Sequence, residues 1–88
     1  MRTIRLDCRQ MEDRERLHDY LAQTLEFPSW YGRNLDALYD LLCDQLPVCL
    51  IFDHTEVLET YGQAALEIFR DAAKQNPGLE LDFGSETS

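Results

Sequence analysis

The chain has 88 residues, of which 17 are acidic and 8 are basic, and its formal net charge at pH 7 is -9 with both histidines neutral. This length fits one small domain rather than two, and an apolar fraction of 44% is too high for a disordered chain. The longest purely apolar run, residues 48–52, is far shorter than the roughly 20 residues that a membrane-crossing helix needs, so we expect no membrane association.

The negative charge is concentrated in the second part of the chain. Residues 1–33 hold six acids and six arginines, whereas residues 34–88 hold eleven acids against Arg70 and Lys74. Such a field repels the phosphates of RNA and DNA and attracts basic proteins. We therefore expect no direct nucleic-acid partner, and a protein that itself binds nucleic acid fits the charge better. The alternative is an acidic surface that serves solubility alone.

The cysteines indicate a reducing compartment. Cys8, Cys43 and Cys49 cannot all pair within one chain, and they lack the C-x-x-C spacing of a zinc or redox site. No apolar signal segment follows the N-terminal charge. We therefore expect a cytoplasmic domain that holds neither a metal nor another cofactor.

The first elements in chain order are a strand and a helix. Residues 2–6 alternate between polar and apolar side chains, which predicts a short strand. Asp13 can cap a helix whose apolar stripe has helical spacing and consists of Leu17, Tyr20, Leu21 and Leu25. Pro28 is predicted to stop this helix because its ring prevents a further backbone hydrogen bond. An aromatic loop, residues 27–32, follows.

A second helix is predicted from about residue 34 to residue 44, and Pro47 ends that segment. The apolar run at residues 48–52 predicts a strand buried on both faces, with Cys49 as a buried small hydrophobic residue. After a short turn of helix over residues 55–59, residues 62–75 form a longer helix. Its predicted inward positions are Leu66, Phe69 and Ala73.

The chain ends with a turn at residues 76–78 and a strand over residues 79–83. Helical connections between strands imply parallel pairing. We therefore predict an α/β fold with a small three-stranded parallel sheet packed with three to four helices. One domain should span residues 1–83, residues 84–88 should form a frayed tail, and the free protein should be a monomer.

The second predicted helix has an acidic face. On a helical wheel Asp36, Asp40 and Asp44 share one side, and Arg33 joins them if the helix reaches it. The opposite side is formed by Leu35, Leu38 and Leu42, and Tyr39 lies at the border. The acidic face is either an ordinary solvated surface or a preformed array of carboxylates that awaits a cationic site. The preceding Trp30 favours a binding surface.

Tyr31, beside Trp30, has a different predicted role. We interpret its ring as a plug of the loop over the core rather than as a binding residue.

These residues carry a resemblance to a known family. The stretch FPSWYGRNLDALYD at residues 27–40 resembles the signature of the barstar family, which are intracellular inhibitors of barnase-type ribonucleases. Agreement extends upstream to Leu17 and His18 and downstream over residues 65–73. Members of that family have a three-stranded parallel sheet with packed helices, so the resemblance implies the same fold that the pattern predicts.

The resemblance implies roles for five residues. Asp40 matches the aspartate that enters the nuclease's phosphate-binding pocket, and Asp36 matches a second acid that pairs with basic active-site groups. Trp30 stands where the family often has a tyrosine that covers the catalytic histidine. Tyr39 stands in place of a tryptophan, and Asp71 in place of a glutamate.

Two further positions depart from the family pattern, since Gln75 replaces an acid and Arg33 reverses a charge. The implied partner is a basic, barnase-like ribonuclease of the extracellular or toxin type.

The same residues leave other functions open. Asp36 and Asp40 could be an acid–base pair assisted by His54, but carboxylates on an open helix face stay solvated, so we expect no enzyme. A second alternative is an immunity or binding module for a basic protein that is not a ribonuclease. A metal site is disfavoured because no loop supplies the six or more oxygens that calcium prefers.

Overall fold

The computed structural model of the chain describes residues 2–83, so the predicted frayed tail at residues 84–88 lies outside the described residues. The sequence order is strand, helix, helix, strand, helix, strand. The elements are β1 (Arg2–Asp7), α1 (Arg14–Thr24), α2 (Leu35–Cys43), β2 (Val48–Asp53), α3 (Thr60–Gln75) and β3 (Leu79–Asp82), with single turns of 3₁₀ helix at Cys8–Gln10 and Thr55–Val57.

The three strands form one parallel sheet in the order β1-β2-β3. In the register of this sheet Ile4 lies opposite Leu50, and Leu50 lies opposite Leu81. The predicted α/β fold with a three-stranded parallel sheet and packed helices is therefore confirmed.

The two faces of β2 differ in burial. The buried positions are Val48, Leu50 and Phe52, whereas Cys49, Ile51 and Asp53 are only half-buried. The first set belongs to one hydrophobic core with residues of all three helices. The second set lies on the side of the sheet where Arg5 forms an ion pair with Asp53 at 3.0 Å. The prediction that this strand is buried on both faces is therefore wrong, as is the prediction that Cys49 is buried.

The core is built from the apolar faces of the three helices. Its helical members that are almost fully buried are Leu17 and Leu21 of α1, Leu38 and Leu42 of α2, and Ala65, Leu66, Phe69 and Ala72 of α3. Phe69 meets Phe52 of β2 edge to face, with 5.0 Å between ring centroids. Ala72 takes the buried position that was predicted for Ala73, which is half-buried.

Helix α1 ends before Pro28, the residue that was predicted to stop it. Asp13 caps it as expected by accepting a hydrogen bond from the backbone of Arg16. At the other end Glu26 adopts a left-handed conformation with φ of 57°, and the Phe27 N–H donates to the Ala22 carbonyl at 2.9 Å. This is the Schellman arrangement that closes many helices. The chain has thus left α1 before it reaches Pro28.

Cys8 is the fully buried cysteine, and all three cysteines are free thiols. Burial raises the pKa of the Cys8 thiol to about 12, and the nearby carboxylate of Asp7 acts in the same direction. Across residues 2–83, no helix has the length and apolar character to span a bilayer.

Candidate functional site

The N-terminus of α2 is fixed by a side-chain cap. Asn34 has an extended backbone, and its side-chain oxygen accepts a hydrogen bond from the Ala37 N–H at 2.7 Å. Such a cap satisfies one of the backbone donors that the first turn leaves free. Because α2 begins at Leu35, it does not reach Arg33.

Arg33 is directed away from the acidic face. Its backbone is left-handed with φ of 55°, and its guanidinium forms an ion pair with Asp19 of α1. The charge reversal at this position therefore neutralises a carboxylate of another helix and leaves those of α2 uncompensated.

Asp36, Asp40 and Asp44 form an exposed line that we call the acidic row. Successive members are separated by about 6 Å along the helix axis, since each residue rises about 1.5 Å. On the opposite side Leu38 and Leu42 are fully buried. Within residues 2–83 no member of the acidic row forms an ion pair or a side-chain hydrogen bond. The row is therefore held rigidly by the core and is open to a cationic partner.

Tyr39 lies at the edge of the acidic row and is half-buried. A hydrogen bond with Cys43 raises the pKa of the Tyr39 phenol, and the negative charges of Asp71 and Asp40 raise it further. Asp71 belongs to α3, which packs beside α2, and its carboxylate lies 3.8 Å from the Lys74 ammonium. Tyr39 thus lies within electrostatic range of Asp40 on its own helix and of Asp71 on α3.

Trp30 is the most exposed large apolar side chain of the described residues, at 75% of its full accessible surface. It precedes α2 in the loop of residues 27–33, and within residues 2–83 its ring contacts no other aromatic ring. Of the five predicted binding residues, Trp30 is not brought together with Tyr39, Asp40 and Asp71. Its exposure on a loop next to α2 is the arrangement that a binding residue needs.

The aromatic loop is anchored by Tyr31, which is buried as predicted. Its ring packs on Phe27 with 4.8 Å between centroids, and its N–H donates to the Pro28 carbonyl at 3.0 Å. Its hydroxyl lies 2.6 Å from Nδ1 of His18, and Nε2 of the same ring lies 2.7 Å from the hydroxyl of Tyr61 on α3. The loop is therefore tied to α1 and α3.

Sequence reasoning missed His18 and Tyr61. His18 lies three residues before Leu21 and seven before Leu25, which is the spacing of the buried stripe of α1. That spacing was the available signal for a buried histidine. Burial lowers the pKa of His18, and the nearby cations of Arg14 and Arg33 lower it further, while Asp19 acts in the opposite direction.

The groups of the alternative enzyme reading are not assembled. His54 follows β2, and its Nδ1 lies 3.5 Å from the carboxylate of Glu56. In the part of the chain that the structure describes, His54 has no hydrogen bond or ion pair with Asp36 or Asp40. An open cavity of about 340 Å³ beside the aromatic loop is lined in part by Ser29, and it does not include the acidic row. No cluster of three metal-ligating side chains occurs over residues 2–83.

Two of the matches to known proteins each cover most of the chain. A family model described as "Barstar (barnase inhibitor)" matches residues 1–84. A Bacillus subtilis (strain 168) protein named "Putative ribonuclease inhibitor YrdF" is 41% identical over 81 residues, with 85% of this chain and 89% of that protein covered. The family match includes α2, α3 and the aromatic loop between α1 and α2.

Proposed function

The chain belongs to the barstar family, and from this premise we propose that it inhibits a ribonuclease by inserting the acidic row and the aromatic loop into the enzyme's basic active site. The observation that carries the proposal is the acidic row itself. Its three carboxylates are exposed, and none has an ion-pair partner among residues 2–83. These carboxylates are therefore available to the cationic side chains of a protein partner.

The mechanism follows from what a ribonuclease must bind. An enzyme that cleaves RNA holds a phosphate with cationic side chains, and a carboxylate offers those side chains the same charge and hydrogen-bond acceptors. Asp40, in the middle of the acidic row, is the group that we expect to take the phosphate position, and Asp36 is expected to pair with a neighbouring cation. The chain thus acts as a substrate mimic and not as an enzyme.

The rigidity of α2 supports this role. The helix is anchored by Leu38 and Leu42 and is capped by Asn34. Ordering a flexible segment on binding costs free energy, and a preformed helix avoids most of that cost. Long-range attraction between the acidic row and a basic cleft also accelerates association.

Side chains around the acidic row would complete the contact. We expect the Trp30 ring to cover part of the nuclease cleft, because large exposed aromatic rings are favoured at interface hot spots. Tyr39 and Asp71 are expected to contact the rim of the cleft, since Tyr39 precedes Asp40 on α2 and the charge of Asp71 on α3 reaches Tyr39. We expect the target to be a basic, barnase-like ribonuclease of the extracellular or toxin type. The three free thiols are consistent with inhibition in a reducing cytoplasm.

The test is a titration of barnase-like microbial ribonucleases with the purified protein and two matched variants. Asp40→Asn removes one charge from the acidic row, and Glu80→Gln removes one charge from the exposed position opposite Cys49 in the sheet. Inhibition should be strongly weakened by Asp40→Asn and unchanged by Glu80→Gln. Equal inhibition by both variants would contradict phosphate mimicry. Capture of a basic protein without nuclease activity, with no inhibition of any ribonuclease, would favour the alternative immunity function.

A further inference from the structure

The aromatic loop is connected to the helices through one buried histidine. The His18 ring is 1% exposed, and it touches a tyrosine hydroxyl at each nitrogen, Tyr31 through Nδ1 and Tyr61 through Nε2. The proposed function uses neither of these groups. Trp30, the proposed contact residue, directly precedes Tyr31, so the position of Tyr31 determines where the Trp30 backbone lies.

The two hydrogen bonds of His18, to Tyr31 and to Tyr61, form what we call the bridge, and their directions depend on the protonation of the ring. A neutral imidazole has one N–H donor and one bare nitrogen that accepts. One tyrosine hydroxyl must therefore donate to the ring, and the other must accept from it. An imidazolium has two donors, and both tyrosine hydroxyls can turn to accept from it, so the hydrogen bonds alone do not exclude the charged form. Burial of the ring is what favours neutral His18.

We propose that His18 is a positioning residue for nuclease binding, because its hydrogen bond to Tyr31, with the ring braced on the other side by Tyr61, holds Trp30 in its binding position. This inference rests on the proposed function. It adds a residue that makes no contact with the nuclease and acts through the loop.

Charged groups around the bridge favour its neutral form. Arg14 of α1 lies over the Tyr61 ring with 5.7 Å to the centroid, and Arg33, which directly precedes the cap of α2, is paired with Asp19. These two cations disfavour a positive charge on His18, and the Asp19 carboxylate offsets them in part. Acidification is expected to protonate His18 and to release the loop.

Two substitutions of His18 each retain a different one of its two hydrogen bonds. The amide of asparagine stands as many bonds from the backbone as Nδ1 of histidine, and the amide of glutamine stands as many as Nε2. His18→Asn therefore keeps a partner for Tyr31, whereas His18→Gln keeps a partner for Tyr61 alone. Tyr20→Phe is the matched control, because the Tyr20 hydroxyl accepts a hydrogen bond from the Asp7 N–H at 2.9 Å and ties α1 to β1 instead of to the loop.

The first measurement is time-resolved fluorescence anisotropy of Trp30, the sole tryptophan, in the free protein. His18→Gln should increase the fast local motion of Trp30, whereas His18→Asn and Tyr20→Phe should leave it as in the wild type. In the wild type this motion should increase on acidification, and in His18→Asn it should not respond to pH. Equal motion in all variants, or the same pH response in His18→Asn, would overturn the inference.

The second measurement is the Kd for an inhibited ribonuclease. The loss of one positioning hydrogen bond in His18→Gln should raise the Kd about tenfold, and His18→Asn and Tyr20→Phe should stay within about twofold of the wild type. An unchanged Kd for His18→Gln with a mobile Trp30 would overturn the role in binding. If His18→Gln does not fold by circular dichroism, Tyr31→Phe replaces it, since it removes the same hydrogen bond between His18 and Tyr31 and carries the same expectations.

A wild-type protein that inhibits no ribonuclease would refute the proposed function. The anisotropy of the free protein would still decide whether His18 holds the loop, so the two failures can be told apart.

Discussion

Asp40→Asn should change folding stability and nuclease affinity in opposite directions. Asp40 lies four residues after Asp36 and four before Asp44, so it takes part in both like-charge pairs of the acidic row. Each such pair destabilises a helix by about 0.2–0.5 kcal/mol. Removing the central charge relieves both pairs and should raise the free energy of unfolding by about 0.4–1 kcal/mol.

The same substitution should weaken the complex by about 2–5 kcal/mol, the usual cost of truncating one partner of a buried charge pair. Unfolding is followed by circular dichroism in urea, and the Kd is measured by inhibition at low salt. Asp44→Asn is the control, because Asp44 lies at the unfavourable end of the helix dipole and its removal should stabilise the fold at least as much. A loss of both stability and affinity in Asp40→Asn would refute the reasoning, since Asp40 would then be structural.

Three further outcomes are expected. Asn34→Ala should lower the free energy of unfolding by about 1 kcal/mol in urea titrations because it removes the cap of α2. Asn34→Asp should retain most of the cap's contribution to stability. The lowered pKa of His18 means that the unfolded chain binds more protons than the folded chain below pH 6.5. The free energy of unfolding should therefore fall as the pH drops below that value, and His18→Asn should lose this dependence. Raising the ionic strength from about 0.05 M to about 0.5 M should slow association with the nuclease far more than dissociation in stopped-flow measurements.

Local patterns were sufficient for the order of elements and for the two faces of α2. Asp13 is a short polar residue placed directly before an apolar stripe, and a cap of this kind depends on nearby backbone alone. The burial of Leu38 and Leu42 and the exposure of the acidic row follow from helical spacing. These features are local, so no knowledge of the distant chain was needed to predict them.

Features that depend on tertiary packing were not predictable. The apolar run of β2 does not reveal how many layers of helices cover the sheet, and the open face with half-buried Cys49 and Ile51 was missed for that reason. The contact of Arg33 with Asp19 joins residues fourteen apart in the chain. The left-handed Glu26 that closes α1 stands where glycine is the usual residue.

The candidate site was predictable in part. The sequence identified the acidic row and Trp30, and the structure places them exposed on and beside α2. The approach of Asp71 to Tyr39 depends on the packing of α3 against α2 and rested on family resemblance alone. The roles of Trp30, Asp36, Tyr39, Asp40 and Asp71 in binding a nuclease stay predictions.

A crystal structure of the protein in complex with a ribonuclease that it inhibits is the most direct test of phosphate mimicry. The proposal predicts that the carboxylates of Asp36 and Asp40 are buried against arginine, lysine or histidine side chains of the enzyme, with Asp40 in the phosphate position. A complex in which the enzyme contacts another surface, and both carboxylates remain in solvent, would contradict it.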